Sequence, residues 1–359
     1  MSKPLNLGKD VAGLTADLID IPSVSGHEKP LADAIEESLR REPHLTVTRL
    51  GDTVIARTQM SRPERILLAG HLDTVPLPTA AGARGTVPSQ WCGEILYGRG
   101  TTDMKGGVAV QLSLAHSLSF PPKDLTFVFY DHEEVEAAKS GLLRVATQAR
   151  DLLSADLAVL LEPTNGVVEV GCNGTLRLRA PVDGVAAHSA RAWMGDNAIH
   201  KLAELLSVLH GYTPASIDVD GLAYREGLNA VGIGGGIAGN VIPDAAYVDI
   251  NYRFAPDKSV EEAEAHVRNL LPGYELVLTD AAAGAKPGLG NPAINSLVSA
   301  VGGTPQPKYG WTDVARFVKM GIPAVNFGPG DALLAHSDNE HVLASDVRKC
   351  LGALLDWLT

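Results

Sequence analysis

Five short clusters of acidic and histidine residues punctuate the chain: Gly70-His71-Leu72-Asp73, Gly98-Arg99-Gly100-Thr101-Thr102-Asp103, Asp131-His132-Glu133-Glu134, Leu161-Glu162-Pro163 and, far downstream, His336-Ser337-Asp338-Asn339-Glu340. Imidazole and carboxylate without cysteine is the ligand chemistry of catalytic zinc or a similar divalent ion. Two ions need about three protein ligands each, and a shared carboxylate lowers the number required. His71, Asp103, Glu134, Glu162 and His336 make up such a set, with Asp103 as the bridge. Asp73, two residues after His71, is near enough to fix that ring's tautomer by a hydrogen bond. Glu133 precedes a ligand, and adjacent side chains diverge. One carboxylate can therefore bind metal while its neighbour faces a bound water, as a general base must. Taken singly, each cluster has an ordinary explanation. A His-x-Asp or Glu-Glu pair is usually solvated surface, and Asp103 in a glycine-rich turn can be a turn or helix cap. The chemical reading rests on their joint occurrence, each where an apolar run or glycine-rich turn ends.

Those runs indicate what positions the clusters. Residues 66–69, 125–130 and 157–161 are short apolar stretches that read as buried strands, with a helical stretch at 107–118 between the first two. Val11, Leu14, Leu18 and Ile21 recur at helical spacing, as do Leu31, Ile35 and Leu39, and Ser25 with Glu28 forms a capping-box pattern for the second helix. Buried strands alternating with helices predict an α/β fold: a mainly parallel sheet with helices on both faces. In such a sheet, ligands bind beyond the carboxyl ends of the strands, so the clusters can converge. From residue 175 the texture changes. Residues 175–182 alternate, a helix is expected at 197–209, strands at 230–237 and 246–254, and a helix at 260–270. This β-α-β-β-α-β order fits a small α+β domain. The expected organisation is a catalytic domain in two parts, 1–174 and 283–359, the latter ending in an amphipathic helix at 347–358, with an inserted domain at 175–282.

Composition narrows the function classes. At roughly 150 residues per domain, 359 residues allow about two domains. With 45% hydrophobic and 20% charged residues, the chain is not disordered. Lys+Arg 30 against Asp+Glu 42 gives a net charge of −12, which argues against nucleic acid or an anionic membrane as partner. Cys92, Cys172 and Cys350 are odd in number and lack a C-x-x-C, so neither a disulfide framework nor a thiolate zinc site is expected, and a reducing compartment suits them. Residues 1–10 lack a signal-peptide pattern and no run approaches the ~18 apolar residues of a membrane span, so the expectation is a cytoplasmic protein. Gly234-Gly235-Gly236-Ile237-Ala238-Gly239 matches the dinucleotide fingerprint G-x-G-x-x-G, but that motif must open a helix, and Asn240-Val241-Ile242-Pro243 follows.

The stretches Gly70-His71-Leu72-Asp73-Thr74-Val75-Pro76, Gly98-Arg99-Gly100-Thr101-Thr102-Asp103-Met104-Lys105-Gly106-Gly107, Asp131-His132-Glu133-Glu134 and Leu161-Glu162-Pro163 resemble, in content and order, the motifs of the dinuclear zinc aminoacyl-hydrolases. That family includes acetylornithine deacetylases, carboxypeptidases, aminoacylases and succinyl-diaminopimelate desuccinylases. The resemblance spans nearly the whole chain. It implies a zinc-peptidase-like catalytic domain with an inserted ferredoxin-like dimerisation (lid) domain. It also implies two Zn2+ per subunit, with Co2+ as a substitute, a homodimer, and a small dicarboxylate amide as substrate. Tyr309-Gly310-Trp311-Thr312-Asp313, Gly328-Pro329-Gly330 and Asp131-His132-Glu133-Glu134-Val135-Glu136-Ala137 look most like the actinobacterial branch of the desuccinylases. This implies hydrolysis of N-succinyl-LL-2,6-diaminopimelate by a Glu133-activated water. Sister activities, an acetylornithine deacetylase or a metallo-dipeptidase or carboxypeptidase, are the alternative. Many relatives have a small residue where His132 stands.

The resemblance extends to the inserted region. Gly184-Val185-Ala186-Ala187-His188-Ser189 is similar to the segment whose histidine reaches the partner subunit's active site, so His188 is an expected catalytic residue. Asn240, Arg253 and Thr312 correspond to substrate contacts. Arg253 suits a carboxylate because its planar fork pairs bidentately. Outside that resemblance, a lone strand Arg is more often a surface ion pair and a lone His more often structural.

Overall fold

The computed structural model describes residues 4–359. The chain divides into two compact units: one contains the chain as far as Val170 with Gly288–Gln306 and Arg316–Thr359, the other Gly171–Pro287 and Pro307–Ala315. The second unit thus takes a short stretch, with Thr312 in it, from the region expected to close the larger domain.

In the first unit the apolar runs are strands Arg65–His71, Asp124–Tyr130 and Leu157–Leu160, buried almost throughout. They lack hydrophobic–polar alternation because a parallel strand between two neighbours has both faces covered. Arg65–His71 lies between the other two in parallel register, with His71 opposite Tyr130 and Ala69 opposite Leu160. Ala324–Asn326 adds a parallel strand beside Leu157–Leu160. The flanks are antiparallel: Thr53–Arg57 on Asp124–Tyr130, Thr46–Leu50 on Thr53–Arg57, and Glu169–Val170 on Ala324–Asn326. Antiparallel neighbours can be joined by a tight turn, as at Gly51-Asp52, whereas each central parallel step needs a crossover.

One crossover contains helix Lys105–Ser117, which packs on the Arg65–His71 strand and against helices Val11–Ile19 and Ala344–Leu358. The close approach depends on Gly107: a Cβ there would collide with the Leu161 carbonyl oxygen, at the strand end that leads into Glu162. Helix Lys29–Leu39 starts at Glu28 without a side-chain cap, so the capping box expected at Ser25 does not form. The Ser25 hydroxyl donates instead to Asp73 Oδ2 at 2.7 Å, a charge-assisted bond stronger than a neutral cap.

The second unit is an antiparallel sheet in the spatial order Gly227–Gly235, Ala245–Phe254, Gly174–Asp183, Val277–Ala282. Together with its helices this is the ferredoxin-like β-α-β-β-α-β arrangement. Leu176, Leu178, Val248, Ile250 and Tyr252 face a core shared with Leu205, Ala263 and Val267. Helix Val260–Leu270 carries a complete capping box between Ser259 and Glu262. The single helix expected at 197–209 is instead Ala198–Lys201 and Ala203–Gly211. The Leu202 N–H bonds to the Ile199 carbonyl at 3.1 Å, a tighter three-residue step that interrupts the α-helical ladder. After Gly235 the chain turns into Val241–Ile242, which pairs with Ala187–His188; no helix follows, and the dinucleotide motif lacks its context. Among the described residues no helix is long and apolar enough to cross a membrane.

Candidate active site and metal centre

Parallel strands end together, so the register of the first unit gathers the turns that follow them. His71 is the last residue of its strand and fully buried. Its Nδ1 lies 3.0 Å from the main-chain oxygen of Asp73, which fixes the neutral ring as the Nδ1–H tautomer. Its Nε2 then presents a lone pair to the cluster, 3.0 Å from Asp103 Oδ1. The Asp73 carboxylate is further from the ring, at 3.6 Å. It accepts the N–H groups of Glu133 at 2.9 Å and Glu134 at 3.0 Å as well as the Ser25 hydroxyl. The ring expected to rest on the Asp73 side chain therefore rests more closely on its main chain, and the buried carboxylate pins the turn that carries Glu133 and Glu134.

From the other side His336 approaches the same aspartate. Its Nε2 is 3.3 Å from Asp103 Oδ2 and 2.8 Å from Glu134 Oε1. Three groups of potential ligands result, His71 with Asp103 and Glu162, Asp103 with Glu134 and His336, and His71 with Glu133 and Glu134; in each, one donor atom per residue lies within 4.8 Å of the others. Asp103 faces the two imidazoles through different oxygens. His132 adopts a left-handed φ of 59°, a conformation easier for a small residue, and its N–H donates to the buried Glu28 carboxylate at 3.2 Å.

Electrostatics reflect this crowding. Burial presses His71 down, but Asp103 and the charges of Glu162 and Glu133 outweigh it and raise its pKa well above 6.5. Hydrogen bonds to Asp103 and Glu134 raise His336 to about 10. Burial pushes Asp103 up, yet the two imidazoles hold it far below the usual carboxylate range. Anionic oxygens thus draw positive charge into the cluster, and each donor group is of a type that zinc or a similar divalent ion accepts. Two neighbours were not singled out in the sequence, Arg99 and Glu340. Glu340 is fully buried while the nearby Asp338 is exposed, and nothing in the local sequence separates the two carboxylates.

The remaining expected residues belong to the second unit. His188 Nδ1 accepts the Ala190 N–H at 3.1 Å, which leaves the neutral ring an Nε2–H donor. The Asn240 main-chain oxygen accepts the Ser189 N–H at 2.9 Å, so Asn240 and His188 are neighbours. Arg253 is half-buried on the uncovered face of the sheet and makes no ion pair among the described residues; burial and the nearby Arg177 pull its pKa down. Thr312 is buried, and its hydroxyl has no hydrogen-bond partner among the described residues.

Comparison with known proteins supplies the family. Residues 67–359 match the model of the peptidase family M20/M25/M40. A Mycobacterium tuberculosis protein provisionally named succinyl-diaminopimelate desuccinylase is 52% identical over 357 residues, covering 99% of each chain. The succinyl-diaminopimelate desuccinylase of Corynebacterium glutamicum is 43% identical over 374 aligned positions, covering 100% of both. A dinuclear metal-binding peptidase of Bacillus subtilis from the M20 family shares the fold, with a TM-score of 0.68 at 16% identity over 97% of this chain and 98% of that one. The chain belongs to the peptidase family M20/M25/M40.

Proposed function

We propose that this chain hydrolyses N-succinyl-LL-2,6-diaminopimelate to succinate and LL-2,6-diaminopimelate, a step in the formation of diaminopimelate and lysine. It does so with two zinc ions per subunit, one held by His71, Asp103 and Glu162 and the other by Asp103, Glu134 and His336. The observation that carries this reading is Asp103, a single carboxylate whose two oxygens face separate imidazoles at 3.0 and 3.3 Å. The donor set fits: imidazole and carboxylate, three residues per group, a donor chemistry and number that catalytic zinc accepts. When bound, such ions would polarise the amide carbonyl and make a nearby water more acidic. Glu133 takes the proton from that water on its carboxylate and returns it to the nitrogen of the departing amine. Its turn is held for this purpose by Asp73. His188, fixed as the Nε2–H tautomer, acts in the partner subunit's active site, where it donates to the carbonyl oxygen as that atom gains charge. Asn240, Arg253 and Thr312 take the substrate carboxylates, Arg253 with an unpaired guanidinium and Thr312 with an unpartnered hydroxyl.

The substrate rests on the end-to-end match to proteins carrying the desuccinylase name. We place the enzyme in the cytoplasm, in keeping with free Cys92, Cys172 and Cys350. We assign it a homodimeric state, for which the edge strand Gly227–Gly235, with Val231 and Ile233 exposed, offers an unpaired backbone and an apolar surface. Turnover of the succinylated substrate, acetylornithine and dipeptides should be compared while metal content is measured. The reading expects two ions per chain, preference for the succinylated amide, and activity lost to chelators and restored by zinc or cobalt. Preference for either other substrate moves the chain to a sister activity, and indifference to chelators removes the metals.

A further inference from the structure

We infer that Glu340 is a positioning residue for the metal pair: with Arg99 it locks the loop that carries Asp103 to the loop that carries His336. This rests on the reading of those two residues as metal ligands. Glu340 is fully buried, and a carboxylate so placed is tolerable only when hydrogen-bonded and paired. Its Oε1 accepts three main-chain N–H groups, from Gly100 at 3.0 Å and from Thr102 and Asp103 at 3.1 Å each. N–H groups of one turn aimed at one point, here with the Thr101 N–H directed instead to the Gly98 carbonyl, form a nest-like concavity of the kind that elsewhere receives an anion. Here the nest is shaped by Gly100 at φ 86° and filled by the protein's own carboxylate.

The other oxygen, Oε2, accepts Arg99 Nη1 at 2.7 Å, and the same Nη1 donates to the Ser337 carbonyl at 3.3 Å. Ser337 follows His336, whose own φ of 63° lies in the left-handed region, so the ring's aim depends on what grips the loop around it. The Gly98 N–H to the Glu340 carbonyl at 3.1 Å and the Thr102 hydroxyl to the His341 carbonyl at 2.7 Å close the same seam. A continuous set of hydrogen bonds therefore runs from the Asp103 N–H through Glu340 and Arg99 to the residue beside His336. Neither Glu340 nor Arg99 belongs to the potential ligand groups; both act through the ligands they hold. A shared carboxylate that must serve two ions tolerates little displacement, since binding constellations need placement within about 0.5 Å.

The test is a Co2+ titration of chelator-stripped protein followed by visible absorption, on the parent chain and on Glu340→Gln. Glutamine keeps one acceptor for the nest but turns an N–H2 group towards Arg99. The expected result is two ions bound by the parent and, in the variant, one of the two binding steps weakened by about 10- to 100-fold. At saturating Co2+ the variant's kcat should return towards the parent value with KM for the amide substrate unchanged. If Glu340→Gln does not fold, Arg99→Met, which leaves the nest filled, should show the same selective weakening. Two Co2+ steps within twofold of the parent in either folded variant overturn the inference and leave the metal reading standing. A parent chain that binds fewer than two ions overturns both.

Discussion

The candidate metal centre of the first unit and the second unit handle polar groups in opposite ways. In the centre, imidazoles and carboxylates hold one another at 2.8 to 3.3 Å, and the turn beneath them is pinned through main-chain N–H groups. In the second unit, among the described residues, Arg253 on the sheet carries a guanidinium without an ion pair and Thr312 in a loop a buried hydroxyl without a partner. A site for tightly held ions can be prebuilt, because its members stabilise one another before metal arrives. A site for a substrate that must come and go has to leave some groups unsatisfied, and each costs stability until the ligand binds.

The largest effect should separate chemistry from assembly within the centre. Glu133→Gln keeps every assigned ligand and should lower kcat by about 10²- to 10⁴-fold with metal content unchanged. Steady-state kinetics beside metal analysis decide it, and near-parent turnover would take the general-base role from Glu133. On the sheet, Arg253→Met should raise KM for the succinylated substrate by about 10- to 100-fold, the equivalent of a lost charged hydrogen bond, with metal content untouched. Thermal stability should hold or rise, since an unpaired, half-buried charge is removed. A fall in stability with KM unmoved would make Arg253 structural and erase the contrast.

The smallest effect concerns a polar group of the second unit that is satisfied. Buried Glu226 accepts the Tyr252 hydroxyl and the Ala255 N–H at 2.9 Å and Lys258 Nζ at 2.8 Å. Burial pushes its carboxyl up, but Lys258, Ala255 and Tyr252 together bring it below its ordinary 4.5. A depressed carboxylate contributes stability that is complete above 4.5 and is lost as pH falls through the lower folded-state value. Denaturant unfolding across the acidic range should show that loss in the parent, and a flatter profile in Glu226→Gln, which should be less stable by about 1–3 kcal/mol at neutral pH. Unaltered kcat/KM is expected.

Much of this was legible in the chain itself. The gathering of imidazoles and carboxylates could be read because apolar runs lead into His71, Glu134 and Glu162, and parallel strands deliver their ends to one edge. The ferredoxin-like region was legible because strands solvated on one face alternate, as in 175–182 and 246–254. The partner of the His71 Nδ1 was not legible, since both oxygens of Asp73 lie at the same sequence distance. Ser25 was misread as a helix cap because its competing acceptor, Asp73, is 48 positions away. Glu340 was passed over for a similar reason, its Arg99 partner being 241 positions distant.

Residue types and periodicity by themselves determined which segments would be buried strands, that the acidic and histidine residues stood near their ends, and that the donor atoms gathered there would be oxygen and nitrogen. These are local properties, set by side-chain chemistry and by spacings of two or about 3.6 residues. Only the tertiary structure decided that Asp103 offers one oxygen to each histidine, that Asp73 grips the turn that carries Glu133, and that Glu340 fills the nest behind Asp103. Those choices depend on how turns tens to hundreds of residues apart approach one another, and hydrogen bonds that fail beyond about 3.5 Å discriminate where sequence spacing cannot.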